Sequence, residues 1–215
     1  MLIDRYQEAI VEVLNKVRDT QRDALIRAGE IVANAVENGG KIYLGGIVHG
    51  IEGDLHYRGG GPMFYQLYKE GETELKPGDV LFVCSVSGRT KKVVDLTYDC
   101  VQKGIQVIAL TSMSYATQVD PVHESGKKLY EIATLTLDNC APPAEAMLQV
   151  DGIEAPFAAS SGISSSYVMW SLTSVAVEKM LADGYTPGIL KSANYPGGND
   201  YNKTVVEPHY EKFGW

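Results

Sequence analysis

The chain has 215 residues, 45% of them hydrophobic, enough to bury a full core and, at this length, to form one α/β domain rather than two. Its 27 acidic and 19 basic residues leave a formal charge of -8, which argues against nucleic acid or an anionic membrane surface as a general partner. Three cysteines, Cys84, Cys100 and Cys140, lack metal-ligand spacing, and their odd number points to reduced thiols in a cytoplasmic protein, as do the early charges at Asp4 and Arg5 and the lack of a bilayer-length apolar run.

From Ile3 to Val36 apolar residues recur every three or four positions, with a gap near Thr20, which predicts one long or two consecutive amphipathic helices as far as residue 38, stopped by Gly39-Gly40. Lys41–Leu44 then reads as a short strand running into Gly45-Gly46. Beyond it, His49, Glu52 and His56 share one face if the segment is helical, although Gly50 and Gly53 interrupt that pattern. His49 is the candidate for proton transfer and Glu52 for a solvated face. The i, i+3, i+7 spacing is also compatible with a divalent metal, but no fourth ligand is evident and none is assigned. Gly59-Gly60-Gly61-Pro62 ends this helix and opens a connection through Met63 to Lys76.

The Pro77-Gly78-Asp79 turn starts the run Val80–Cys84, whose lack of alternation predicts a strand buried on both faces in a parallel sheet. The run breaks into Ser85-Val86-Ser87-Gly88-Arg89-Thr90 just before a helix over Lys91–Lys103. Three hydroxyls, a glycine able to take positive φ, a threonine placed to cap the helix and the helix's own first amides suit a phosphate monoester, with Arg89, Lys91 and Lys92 adding positive charge. Gln106–Leu110 completes a βαβ unit, and Thr111-Ser112-Met113-Ser114 repeats the hydroxyls at its end. Asp120–His123 reads as loop, with His123 at the surface. Leu135–Asp138 is a further strand, leading into Asn139-Cys140-Ala141-Pro142-Pro143-Ala144-Glu145. Ser160–Ser166 precedes a helix over Tyr167–Leu181, in which Glu178 belongs to the surface or an interface, and Ile189-Leu190 is a possible last strand.

The loop Ser85–Thr90, followed by the strand Gln106–Leu110 and then Thr111-Ser112, resembles the phosphosugar-binding core of the SIS (sugar isomerase) domain family. Tyr57-Arg58-Gly59-Gly60-Gly61, Asp138-Asn139-Cys140-Ala141-Pro142-Pro143 with Glu145, and the closing Ser192-Ala193-Asn194 and Pro196-Gly197-Gly198 are similar to a phosphosugar-binding subfamily related to phosphoheptose isomerases. Two positions depart from the family pattern: Val48 stands where a hydroxyl is expected, and Gly53-Asp54 stand where two adjacent glutamates are expected.

The resemblance implies a single SIS domain over 1–215, a three-layer αβα sandwich with a mainly parallel, flavodoxin-like sheet over 39–215 behind an N-terminal helical arm over 1–38. It implies a homodimer or homotetramer that takes a phosphorylated sugar and needs no cofactor or metal. Aldose-ketose isomerisation is the activity it suggests, the alternatives being a non-catalytic phosphosugar-binding or regulatory module and an amino-sugar phosphate etherase or lyase. In that frame His49, Asp54 and Glu145 are the catalytic candidates. Ser85, Ser87, Gly88, Arg89, Thr90, Thr111, Ser112, Asn139, Ser164 and Ser165 are the candidates for binding phosphate and sugar.

Overall fold

The structure is a computed structural model that describes residues 1–45 and 50–215. The elements run α1 (Leu2–Thr20), α2 (Arg22–Glu37), β1 (Ile42–Gly45), α3 (Glu52–Leu55), β2 (Tyr65–Leu67), β3 (Val80–Cys84), α4 (Lys91–Gln102), β4 (Gln106–Thr111), α5 (Met113–Ala116) and β5 (Leu135–Asp138). They continue with β6 (Ala146–Leu148), β7 (Phe157–Ala159), α6 (Ser161–Ala182), α7 (Gly198–Tyr201), a π-helical turn over Asn202–Val206 and α8 (Glu207–Phe213). The N-terminal arm is therefore two helices, broken at Gln21, whose φ and ψ of -105° and 2° leave the helical region.

Five parallel strands form the main sheet in the order β2-β1-β3-β4-β5, while β6 and β7 pair antiparallel as a separate hairpin. Alternate residues of each strand point to opposite faces, so every strand feeds two cores. Ile42, Leu44, Phe82, Cys84, Ile108, Leu110 and Leu137 face α2 and α6, whereas Tyr43, Leu81, Val83, Val107 and Ala109 face Cys100 of α4 and Leu129. This explains the unbroken apolar runs of β3 and β4. The layer built from α2 and α6 is tightly joined: a Cβ built on Gly29 would lie 2.6 Å from Val175 Cβ, so only glycine permits the crossing at that spacing.

Asp79 ties the amino ends of β1 and β3 together, one carboxylate oxygen accepting from Lys41 N and the other from Lys76 N, both at 2.8 Å. At the β5 edge, Gln21 Oε1 accepts from Asp138 N at 3.1 Å, so the break between α1 and α2 docks on the last strand. At the β2 edge the C-terminal segment lies across the chain: Gly60 N donates to Leu190 O, Leu190 N to Gly61 O and Met63 N to Gly188 O. Gln66 Nε2 donates to Tyr210 Oη at 2.7 Å, and Met63, Leu190 and Val206 pack together beneath.

Several expectations change. Among the described residues after β1, the α-helix is a single turn, Glu52–Leu55, because His56 already has an extended ψ of 126°. Met63–Lys76 contains β2, and Ile189 forms a single bridge with Pro62 rather than a strand. The last long helix starts at Ser161, six residues before Tyr167, which draws the serine cluster into its first turns.

Candidate functional site

In an open parallel sheet, ligands collect at the carboxyl ends of the strands where strand order reverses, here between β1 and β3. The loop Ser85–Thr90 leaves β3 at that point. Gly88 turns it with φ +64°, and its N–H bonds the carbonyl of Ser85 at 3.0 Å and Ser85 Oγ at 3.2 Å. Ser112 N donates to Val86 O, Leu129 N donates to Gly88 O, and the buried Thr111 hydroxyl donates to Ser85 O at 2.7 Å and Val86 O at 3.1 Å. The loop is thus held from below at both ends. Ser87 and Arg89 are half-buried and Thr90 is exposed, and none of the three side chains has a hydrogen bond or ion pair among the described residues.

Thr90 occupies the position before α4 without bonding a helix amide through its side chain, so it does not cap the helix as its sequence position suggests. Lys91 and Lys92 are also spent elsewhere. Lys91 Nζ lies 2.7 Å from Glu124 and 3.5 Å from Asp95, and Lys92 Nζ lies 2.5 Å from Glu70. What remains for an anion at the loop is the Ser87 hydroxyl, Arg89 and the positive end of α4.

Two of the proposed carboxylates converge on the start of α6. Asp54 pairs with the Arg58 guanidinium and accepts from Ser166 Oγ at 3.3 Å. Glu145 accepts from Ser161 Oγ at 2.6 Å, while its carbonyl accepts from Ser160 N at 3.0 Å. Ser161 and Ser166 are five residues apart, roughly 7.5 Å along the helix axis and about 140° around it, so the two acids bond different sides of one helix. Glu145 takes φ +68°, with Cys140 at +57° and Ala144 at +59°. Three left-handed non-glycine residues in one loop are the kind of strain that surrounding contacts must hold in place.

Other candidates are hydrogen-bonded within the fold. Asn139 is fully buried, donating from Nδ2 to Ser165 Oγ at 3.0 Å and accepting at Oδ1 from Ala141 N at 3.0 Å. Ser112 Oγ donates to Ala141 O, and Ser164 Oγ donates to Ser160 O. These hydroxyls, with Thr111, help to join the ends of β3, β4 and β5 to α6. His49 lies outside the described residues. His56 Nδ1 is 2.9 Å from Tyr65 O and leaves the face of Glu52, so the described members of the predicted His49, Glu52, His56 set do not converge.

His123 proves largely buried rather than superficial. Ser125 N donates to its Nδ1 at 3.1 Å, which places the ring proton on Nε2, 2.8 Å from Asp95 Oδ1. Asp95, His123 and Glu124 bring ligand-type atoms within 4.8 Å of one another, and the Lys91 ammonium bridges the two acids, so the group braces the first turn of α4. Sequence reading also passed over Arg58, Ser161, Ser166 and Gln21 as site-building side chains. Arg58 carried a signal, its i, i+4 spacing from Asp54; the others meet their partners only through the fold.

The SIS domain family matches residues 63–112, from the chain just before β2 through the loop of β3 to Ser112. A UPF0309 protein from Shouchella clausii (strain KSM-K16) is 31% identical, with 96% of each chain covered. The chain belongs to the UPF0309 family. A UPF0309 protein from Oceanobacillus iheyensis is likewise 31% identical over 96% of each chain. Among solved structures, this UPF0309 chain is similar in fold to the Vibrio vulnificus NanR protein complexed with ManNAc-6P, with a TM-score of 0.55 and 17% identity over 99% of this chain and 70% of that one. It is similar also to a phosphoheptose isomerase from Neisseria gonorrhoeae, with a TM-score of 0.53 and 14% identity over 82% of this chain and 97% of that one. The fold of this UPF0309 protein is the SIS fold, with its two long N-terminal helices in place.

Proposed function

We propose that this UPF0309 protein is a cytoplasmic homodimer or homotetramer that binds a sugar phosphate and interconverts its aldose and ketose forms. The observation that carries the reading is the β3-α4 loop. Its backbone is fixed by Thr111 and Gly88, while the Ser87 hydroxyl, Arg89 and the amides opening α4 are left for an anion at the switch point of the sheet. A phosphate held there orients the reacting carbons, which lowers the entropic part of the barrier.

The chemistry asks for one base beside the open-chain carbonyl. A carboxylate of Asp54 or Glu145, or the imidazole of His49, takes the proton from the carbon next to the carbonyl, and the electron pair moves to give an enediolate with its charge on oxygen. Polar donors hold that oxygen, and the proton returns at the neighbouring carbon. Asp54 and Glu145 are both hydrogen-bonded to serines in the first turns of α6.

The test is to incubate the protein with hexose, pentose and heptose phosphates in heavy water and follow the carbon beside the carbonyl by NMR. Exchange is expected, to be lost on Glu145→Gln, Asp54→Asn or His49→Gln, whichever residue is the base. Ser87→Ala is expected to weaken binding at least ~10-fold with unchanged circular dichroism, as for loss of a hydrogen bond to a charged group. Thermal stabilisation by the sugars without exchange or turnover would make the protein a binder instead, and release of a substituent rather than isomerisation would make it a lyase or etherase. Indifference to every phosphosugar would remove the phosphate reading altogether.

A further inference from the structure

α6 is apolar on two faces. Val168, Met169, Leu172, Ala176 and Met180 bury one face against α2 and the sheet. On the other, Ile163, Tyr167, Trp170, Ser174, Val177 and Leu181 recur in steps of four, three, four, three and four, the spacing of a coiled-coil seam. Ile163 is 45%, Tyr167 37% and Leu181 54% exposed. No charged residue occurs in the helix before Glu178. A groove of about 580 Å³ between this seam and the Gly60, Pro62 and Ile189 segment runs along one flank, and a smaller one of about 160 Å³ runs beside Arg18, Arg22 and Tyr167. A helix that is hydrophobic all round is one that is covered all round. No helix among the described residues is long and apolar enough to cross a membrane.

We propose that the outer face of α6 is the contact surface between two copies of this chain, packed with their α6 helices antiparallel about a two-fold axis. The order of the seam selects both the occupant and the direction. Its spacing reads the same from either end, so an antiparallel copy sets Ile163 against Leu181, Tyr167 against Val177 and Trp170 against Ser174. Each indole then meets the gap left by a serine. Parallel pairing would stack Trp170 on Trp170 and leave Ser174 facing Ser174, one layer overfilled and the next one void, both costly in a close-packed interface.

Charge agrees with that register. The antiparallel copy brings its Glu178 to the level of Tyr167, where Arg18 and Arg22 line the smaller groove. The seam is roughly 27 Å long, long enough for five full turns of a second helix to lie along it. The inference stands apart from the sugar chemistry, because it uses none of the side chains assigned to that site.

Sedimentation velocity on the full chain from ~1 to ~100 µM, with no ligand, tests it. A dimer is expected, and Ser174→Glu, which sets a carboxylate under the indole of the second copy, should weaken it at least ~100-fold. Ser174 is exposed, so circular dichroism and Tm should hold. Glu178→Arg, also at an exposed position, should weaken the dimer, and adding Arg22→Glu should restore it. A wild-type chain monomeric throughout, or a dimer indifferent to Ser174→Glu, overturns the surface. Failure of the charge swap to restore association overturns the antiparallel register.

Discussion

Thr111 shows how one buried side chain can hold a neighbouring loop in place. Its hydroxyl is fully buried and donates to two carbonyls of the loop, so the loop's height above the sheet is set by one side chain. Thr111→Val keeps the shape and removes the donor. Stability should fall by about 1–2 kcal/mol, read as a Tm drop of a few degrees, and phosphosugar affinity should fall with it because the amides and Ser87 lose their fixed placement. A Tm and affinity both equal to wild type would show that the loop holds itself.

Cys140 gives a second expectation at this scale. Burial, with the charge of Asp138 beside it, pushes its thiol up to about 11, from the ordinary 9. The unfolded chain loses that proton near pH 9 while the folded chain keeps it until about 11, so the unfolded state binds fewer protons and stability declines as pH rises across that window. The loss should amount to roughly 2 kcal/mol, visible in urea titrations, and Cys140→Ala should flatten it. Below pH 9 the thiol should resist alkylation.

Among the elements, the crossing of α2 over α6 is the tightest test of the packing. Gly29→Ala forces a methyl to 2.6 Å from Val175 Cβ and 2.8 Å from Leu172 O, so the helices must part. A cost of about 1–3 kcal/mol is expected in denaturant unfolding, and it should reach the site because α6 carries Ser161 and Ser166. The elements also show what sequence could and could not disclose. β3, its loop and α4 were legible because every signal there is local: a doubly buried run, a glycine at the turn and an amphipathic helix. β2, β6 and β7 have three residues each, too few for a period to register. The start of α6 was misplaced because its serines read as loop chemistry, whereas their hydroxyls are spent on Ser160 O, Asn139 and the two carboxylates. Likewise, the positive charge expected of Lys91 and Lys92 is cancelled by Glu124 and Glu70, a pairing that only the tertiary fold creates.

For the whole molecule, the fold brings together residues separated by more than a hundred positions, as Asp54 of α3 meets Ser166 of α6. The sheet has two outer strands, and each is occupied from within the chain. On the β5 side the occupant is Gln21; on the β2 side it is the segment over 188–210. Outer strands left bare are templates for foreign backbone. Removing residues 186–215 should therefore yield a protein that turns thioflavin-positive under mild warming, while a Gln21→Ala chain, whose gap is a single amide, should stay clear. The last seventh of the chain, residues 186–215, is on this view a built-in guard against self-templated fibre growth.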